Sequence, residues 1–233
     1  MPGRAKKNLQ GAESLKTGNY IKYAFGQHYC HVDAVHAASP KADRFTDEIV
    51  TGIMHKTGCA GIIGTVSRTI ADLNRPPNQD NDEAVWEYRD VISQFLYNMG
   101  LLHPASRTLA RPYLHVGIHG MKDQVHGPLC IEVGTIHGRT CSARVKKWFG
   151  ETLKNKVRQV MPEVRVIFDK HWVGNPSLAA HRWGEGRHYP GYGKNYNAFQ
   201  VEIARTLREH HRQTVICVLA AVVAEFSGMF SRR

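Results

Sequence analysis

The sequence contains no CxxC pair, no repeat of fixed period and no low-complexity tract. Its five cysteines are odd in number and lie far apart, which argues against a dense disulfide framework and favours reduced, mostly buried thiols. The first 20 residues are charged and lack the apolar core of a secretory signal. We therefore expect a cytoplasmic protein with a flexible tail over 1–20 and a single domain over 21–233.

Long apolar runs are also scarce. The most apolar stretch, TVICVLAAVVAEF at 214–226, is shorter than the ~20 residues that a membrane-spanning helix needs. This pattern predicts a buried helix and no membrane partner.

Positive charge exceeds negative charge, because 31 lysines and arginines face 20 aspartates and glutamates, a formal net charge of +11. The positive residues are scattered, no basic helix face alternates with aromatic residues, and no RNA-binding signature is present. The distribution disfavours nucleic acid as a partner and suits an acidic small substrate. A basic protein that binds a polyanion remains an alternative from a different functional class, and the sequence leaves the oligomeric state open.

Two hydrophobic periods alternate along the chain. Apolar, β-branched runs predict strands near 29–35, 61–66, 113–118, 129–133, 164–168 and 198–203. Helical periodicity predicts helices near 47–56, 82–99, 142–160 and 213–226. This alternation is typical of a layered α/β fold with a largely parallel sheet. The segment 173–197 has no clear period and is rich in glycine, histidine, arginine and aromatic residues, which favours a functional loop.

Ionisable residues stand at the edges of these apolar runs. His36 and His119 end predicted strands, and Asp47 lies in the first turn of a predicted helix. Two histidines and one carboxylate are typical of a catalytic zinc site, which leaves a fourth position for water. Glu202 lies within a strand among apolar neighbours, and it is the right type of residue for a general base because burial raises the basicity of a carboxylate.

Three motifs resemble, in the same order, segments of the N-formylglutamate amidohydrolase family, which is itself similar to the zinc carboxypeptidases. The motifs are SRTIADLNRPP at 67–77, GIHGM at 117–121 and AFQVEIARTLRE at 198–209. The resemblance implies a three-layer phosphorylase/hydrolase-like α/β fold, with a central mixed, largely parallel sheet flanked by helices. It also implies a zinc-dependent amide hydrolase with one Zn²⁺ per chain.

The resemblance assigns roles to individual residues. His36 and His119 match metal ligands, and Glu202 matches the catalytic carboxylate. Asp47 best fits the acidic ligand at the start of a helix, while the neighbouring Glu48 and the upstream Asp43 remain open alternatives.

The LNRPP turn is expected to bind the carboxylate of a small substrate. Asn74 and Arg75 offer an amide and a guanidinium, and a guanidinium matches a carboxylate in a bidentate fashion. Asp72 would orient Arg75 or lock the turn as its ion-pair partner. Arg68 and Arg182 are further candidates for binding the substrate.

The leading hypothesis is therefore an amidohydrolase that removes an acyl or formyl group from an acidic amino acid derivative. A second enzymatic reading is a carboxypeptidase-like peptidase or amidase that acts on a γ-glutamyl or cell-wall-type peptide. In that case the segment 173–197 would form the wall of a longer cleft.

Overall fold

The structure is a computed structural model that describes residues 15–103 and 105–230. The strands are, in chain order, β1 (Lys16–Thr17), β2 (Ile21–Ala24), β3 (Cys30–Ala34), β4 (Ala60–Gly64), β5 (Tyr113–Met121), β6 (Cys130–Gly134), β7 (Arg165–Phe168) and β8 (Tyr196–Ala204). The helices are α1 (Thr46–Thr57), α2 (Asp82–Asn98), α3 (Asp123–His126), α4 (Ala143–Val160), α5 (Pro176–Trp183), α6 (Arg205–His210) and α7 (Arg212–Phe230).

All eight strands form one mixed sheet in the order β1-β2-β4-β3-β5-β8-β6-β7. The centre is parallel, because β4, β3, β5 and β8 run in one direction. The pairs β1–β2, β2–β4 and β6–β8 are antiparallel, while β7 is parallel to β6. The predicted fold class, an α/β fold with a mixed, largely parallel sheet between helical layers, is confirmed.

The two faces of the sheet differ in character because side chains alternate along each strand. On β5 and β8, Val116 and Phe199 belong to an apolar core that packs under α1, α4 and α7. The opposite face carries Tyr113 and Tyr196 in a second core with α2 and α5, and it also carries the buried polar residues of these strands. A polar stripe therefore runs along the central strands toward their carboxyl ends, where α/β sheets usually bind ligands.

Helix α7 is longer than the 213–226 predicted for it. By length and composition it is the one helix in the described part of the chain that could cross a membrane, and half of its apolar window is buried inside the protein. Val215, Leu219 and Phe226 pack into the first core. The prediction of a buried helix at this place is confirmed.

Two other segments differ from the expectation. Residues 1–14 of the predicted tail lie outside the described residues, and Lys16–Thr17 already form an edge strand. The segment 173–197 contains α5, which begins with Asn175 as its cap and Pro176 at its first position. This Asn-Pro pair is a helix-start signal that the absence of an apolar period concealed.

The stacked pair Phe149–Phe199 joins α4 to the central strand β8, with ring centroids 4.0 Å apart and planes 7° apart. We expect Phe149→Ala to lower the free energy of unfolding by about 3–5 kcal/mol, because a fully buried aromatic ring leaves a cavity. Denaturant titration measures this change. Tyr97→Ala is the control, since Tyr97 is 76% exposed on α2 and its loss should change stability by no more than about 0.5 kcal/mol. Equal effects of the two substitutions would contradict the prediction.

Candidate metal centre and active site

Two histidines and one aspartate meet at the carboxyl ends of β3 and β5. His36 follows β3, His119 lies near the end of β5, and Asp43 comes from the loop before α1. One potential ligand atom from each residue lies within 4.8 Å of the other two. Asp43 Oδ2 is 3.6 Å from His36 Nδ1 and 3.5 Å from His119 Nδ1. Two ligands of one tetrahedral Zn²⁺ lie about 3.3 Å apart, so the donor set and its spacing fit a divalent ion.

The outer contacts of this cluster set the state of its donors. His36 Nε2 lies 2.7 Å from Asp72 Oδ1. Because a carboxylate only accepts hydrogen bonds, Nε2 must carry the proton, which leaves the lone pair of Nδ1 directed into the cluster. That Nδ1 atom is buried and has no hydrogen-bond partner in the described part of the chain, as expected of a metal ligand. Arg68 Nη2 lies 2.6 Å from the outer oxygen of Asp43.

The charges of the cluster favour a cation at its centre. Burial alone would raise the pKa of Asp43, but its contacts with His119 and His36 and the charge of Arg68 hold that pKa well below its usual range. Burial would lower the pKa of His119, yet Asp43 and the nearby Glu202 outweigh it and raise that pKa. Asp43 thus stays anionic and favours positive charge beside it. A divalent ion between Asp43 and the two imidazoles can supply that charge.

Arg208 holds together the chain segments that carry the cluster. Its Nε donates to the carbonyl of Ile203 at 3.0 Å and its Nη2 to that of Met121 at 3.3 Å. Its Nη1 donates to the carbonyl of Arg44, next to Asp43. The guanidinium lies against Gly120, where a Cβ would be 2.5 Å from Arg208 Cζ. Gly120, the second glycine of GIHGM, therefore leaves space for the side chain of Arg208, which holds the loop that carries Asp43.

A second group, His31, Asp33 and His115, lies within β3 and β5, farther from the carboxyl ends of these strands. His115 Nε2 is 2.6 Å from Asp33 Oδ2, and the two imidazoles are stacked at 4.1 Å and 26°. A separation of 2.6 Å is a hydrogen bond and is too short for two ligands of one ion. In the first cluster the imidazoles stand at 78°. His36, Asp43 and His119 are therefore the better candidate for a metal site. The second group is a hydrogen-bonded network in which Nε2 of His31 has no hydrogen-bond partner within the described residues.

Glu202 lies beside the cluster on the neighbouring strand. It is the Cα partner of His119 across the β5–β8 pair, and it is buried. Burial raises its pKa, and the charge of His119 offsets only part of that rise. Gln200 Nε2 donates to Glu202 Oε1 at 2.9 Å, and Gln200 Oε1 accepts from Asn74 Nδ2 at 3.3 Å. The carboxylate is thus oriented by its own strand and is more basic than an exposed glutamate.

A cleft of about 270 Å³ opens above these residues. It is lined by His36, Asp43, Arg68, Asp72, Asn74, Arg75, His119, Gly120, His171, Trp172, Val173, Gly174, Asn175, Gln200 and Glu202. The side chain of Arg75 is 61% exposed, and its Nε lies 3.5 Å from Asp72 Oδ2. Its guanidinium is therefore available to a ligand in the cleft.

Most of the predicted site residues meet in this cleft, but the predicted acidic ligand does not. Asp47 lies in the first turn of α1, where it lines a separate surface depression together with Glu48, and Glu48 pairs with Arg212 at 3.0 Å. Asp43, one of the open alternatives, takes the place beside the two histidines. The loop 37–45 returns from β3 before the helix begins, so the carboxylate comes from the loop and not from the helix start.

Arg182 is also not part of the cleft. It is buried on α5, and its Nη1 donates to the carbonyl of Tyr196 at 2.5 Å. The prediction that Arg182 binds a substrate is therefore corrected to a structural role. Only the start of the segment 173–197 lines the cleft, because Tyr189 and Tyr192 pack into the second core.

Sequence reasoning missed several partners of the site. Gln200, Arg208 and the contact of Asp72 with His36 were not anticipated. Alternation along AFQVEIA places Gln200 on the face of Glu202, a signal that could have identified it. The other two contacts join segments distant in sequence, and no local pattern reports them.

Comparison with solved structures supports the fold. The chain is similar to the N-formylglutamate amidohydrolase from Ralstonia eutropha JMP134, with a TM-score of 0.66, 12% identity, and coverage of 91% of this chain and 98% of that chain. It is also similar to a gene product of Agrobacterium tumefaciens, with a TM-score of 0.57, 12% identity, and coverage of 91% and 94%. No family model matches the sequence, and no curated protein matches it significantly. The resemblance read from the motifs is thus confirmed as a likeness of fold.

The contact between Gly120 and Arg208 generates a prediction. We expect Gly120→Ala to destabilise the protein by about 1–3 kcal/mol, because the new methyl group must displace the buried guanidinium. Gly228→Ala is the matched control, since a Cβ at Gly228 would meet nothing within 4 Å. Thermal unfolding of both variants tests this. A Gly120→Ala variant that unfolds at the temperature of the parent would show that Arg208 is not held against this glycine.

Proposed function

We propose that the protein is a metal-dependent amide hydrolase. The observation that carries the proposal is the set His36, Asp43 and His119, whose ligand atoms converge within 4.8 Å beside the buried carboxylate of Glu202. The fold shared with an N-formylglutamate amidohydrolase agrees with this chemistry but does not by itself assign it. Two imidazoles and one carboxylate favour Zn²⁺ as the ion.

The proposed reaction is hydrolysis of an amide bond. The bound ion would supply Lewis-acid polarisation of the amide carbonyl and acidification of the attacking water. Glu202 takes a proton from that water while the water oxygen bonds to the carbonyl carbon. Glu202 then delivers the proton to the amine nitrogen as the C–N bond breaks. Gln200 keeps Oε1 of Glu202 in place through the 2.9 Å hydrogen bond, so the other oxygen is available for the proton.

The proposed substrate is an N-acyl amino acid, such as an N-formyl derivative of an acidic amino acid. Arg75 at the cleft wall would bind a carboxylate of this substrate. Its guanidinium is exposed, and its 3.5 Å contact with Asp72 can be replaced by a contact with the substrate. Asn74 is proposed as a positioning residue. Its Nδ2 donates to Gln200 and its Oδ1 accepts from Ser177 at 3.3 Å, so its side-chain hydrogen bonds are made to protein residues.

The role of Glu202 is testable with a metal readout. We expect Glu202→Gln to fold normally and to bind Zn²⁺ in the same one-to-one ratio as the parent, while turnover of N-acyl amino acids falls by roughly 10²–10⁴, the usual effect of losing a positioned base. Metal analysis of the purified protein and steady-state kinetics measure both quantities. A substrate panel that includes γ-glutamyl peptides separates the amidohydrolase from the peptidase alternative.

Glu48→Gln is the matched control, because Glu48 is an exposed acid near the start of α1 and should affect neither metal content nor turnover. Loss of zinc in Glu202→Gln would make Glu202 a ligand, and full activity would remove it from the reaction. A parent protein that binds no divalent ion and cleaves no member of the panel would refute the proposed function.

The role of Arg75 is tested by a second substitution. We expect Arg75→Ala to raise KM for a carboxylate-bearing substrate by roughly ten- to a hundredfold, as the loss of a hydrogen bond to a charged group costs about 1.5–3 kcal/mol. The KM for the same substrate with its carboxylate amidated should not change. Arg205→Ala serves as the control, since Arg205 is exposed and pairs with Glu209. Equal effects on both substrates would indicate that Arg75 only locks its turn.

A further inference from the structure

The two histidines of the metal cluster differ in how their outer nitrogens are held. Nε2 of His36 has a direct carboxylate partner, Asp72. Within residues 15–103 and 105–230, Nε2 of His119 has no direct hydrogen-bond partner; it faces the position above Gly117. Metal-bound histidines nearly always donate their outer N–H to a carboxylate, a carbonyl or a water. The space beside Gly117 is therefore where such a partner of His119 Nε2 would lie.

A small cavity lies at this position, and its wall is partly apolar, with Val35, Leu73 and Leu178. Its volume is about 10 Å³, which is close to the space that one water molecule needs. Asp33, Asn74, Tyr88, His119, Ser177 and His181 supply polar side chains to its wall. A buried water needs two to four polar partners, and this wall offers them.

Gly117 separates two of these side chains. A Cβ at Gly117 would lie 3.2 Å from Asp33 Oδ1 and 3.6 Å from His119 Nε2. A methyl group at Gly117 would therefore project between these two atoms. Because the glycine has none, a water molecule farther out in the cavity that Gly117 lines could bond to both atoms. Asp33 and Gly117 are Cα partners across the β3–β5 pair, so the sheet itself fixes this arrangement.

Asp33 is held as a rigid anion. Its Oδ2 accepts hydrogen bonds from Tyr88 and His115, both at 2.6 Å. The outer nitrogen of His115 lies 3.1 Å from the hydroxyl of Tyr196. Burial would raise the pKa of Asp33, but the charges and hydrogen bonds of His115 and His31 hold it well below its usual range. With Oδ2 occupied, Oδ1 is the oxygen turned toward Gly117.

We propose that the cavity above Gly117 binds one water molecule that connects His119 Nε2 to Asp33 Oδ1, and that Asp33 is thereby a positioning residue for the metal ligand His119. This inference rests on the metal centre of the proposed function. Asp33 accepts the hydrogen bond of His119 through the water, whereas Asp72 accepts that of His36 directly. The buried network of His31, Asp33 and His115 then has a role in the metal site although it binds no ion itself.

Two substitutions test the proposal in different ways. Asp33→Asn removes the charge of the acceptor, and Gly117→Ala fills the place of the water without changing any charge. We expect both variants to bind Zn²⁺ about 10- to 100-fold more weakly, the usual effect of losing an outer partner of a metal ligand. Competition with a chromophoric chelator measures the affinity. The visible spectrum of the Co²⁺-loaded protein should shift in both variants, since the orientation of His119 changes.

Tyr113→Phe is the control. It removes the hydroxyl that lies 2.9 Å from His31 Nδ1, at the far end of the same network, and leaves the cavity unchanged. We expect its Zn²⁺ affinity to stay within about twofold of the parent, a difference too small to count as a lost outer partner. Denaturant titration of all variants reports their stability separately from their metal affinity.

The outcomes are distinguishable. Unchanged Zn²⁺ affinity and Co²⁺ spectra in Asp33→Asn and Gly117→Ala would overturn the water link while the proposed function stands. An effect of Asp33→Asn alone would also overturn it, because a long-range charge would then explain the result. If the parent binds no divalent ion, the proposed function and this inference fail together. Should a variant not fold, a high-resolution crystal structure of the parent decides: a water bonded to both atoms supports the proposal, and its absence from an ordered site refutes it.

Discussion

The carboxylate of Asp43 is the group on which the arrangement of the site depends. It faces two imidazoles on one side and a guanidinium on the other, and it is largely buried. A buried anion without such partners would cost several kcal/mol. The loop that carries it must therefore close over β3 and β5 in one particular way, and Arg208 holds that closure through the carbonyls of three separate segments.

The sheet that supports this loop has two faces of different polarity. Apolar side chains occupy the face under α1, α4 and α7, while the other face of the same strands carries polar groups from Tyr113 to His119. Buried polar groups need hydrogen-bond partners. The hydroxyls of Tyr113 and Tyr196 provide them for Nδ1 of His31 and Nδ1 of His115, while Nε2 of His31 has none in the described part of the chain. The polar face thus extends from the second core to His36, Asp43 and His119 at the carboxyl ends of β3 and β5.

Much of the fold could be predicted from the sequence because hydrophobic periods report local structure. The six predicted strands and four predicted helices are all present. The short strands β1 and β2 and the helices α3, α5 and α6 were missed, since they are short or have weak or interrupted periods. In α5, buried polar residues such as His181 and Arg182 replace the apolar stripe that usually identifies a helix.

The candidate site was predictable in part. His36, His119 and Glu202 follow from their places at or within strands, and the structure brings them together. The choice between Asp43 and Asp47 could not be made from spacing, because it depends on how a nine-residue loop folds back onto His36. The role of Arg182 could not be predicted either, because the sequence does not distinguish an arginine that donates to a main-chain carbonyl from one that binds a ligand.

The register of β5 and β8 has a consequence for how this protein could diversify. His119 and Glu202 are paired residues of adjacent strands, so their separation is set by the spacing of a β-sheet, about 4.8 Å. Insertions and exchanges in the loops at 67–77 and 171–175 can reshape the cleft without altering that separation. The distance between His119 and Glu202 is therefore encoded in the sheet and much of the cleft wall in loops, so the wall can change while that distance is retained.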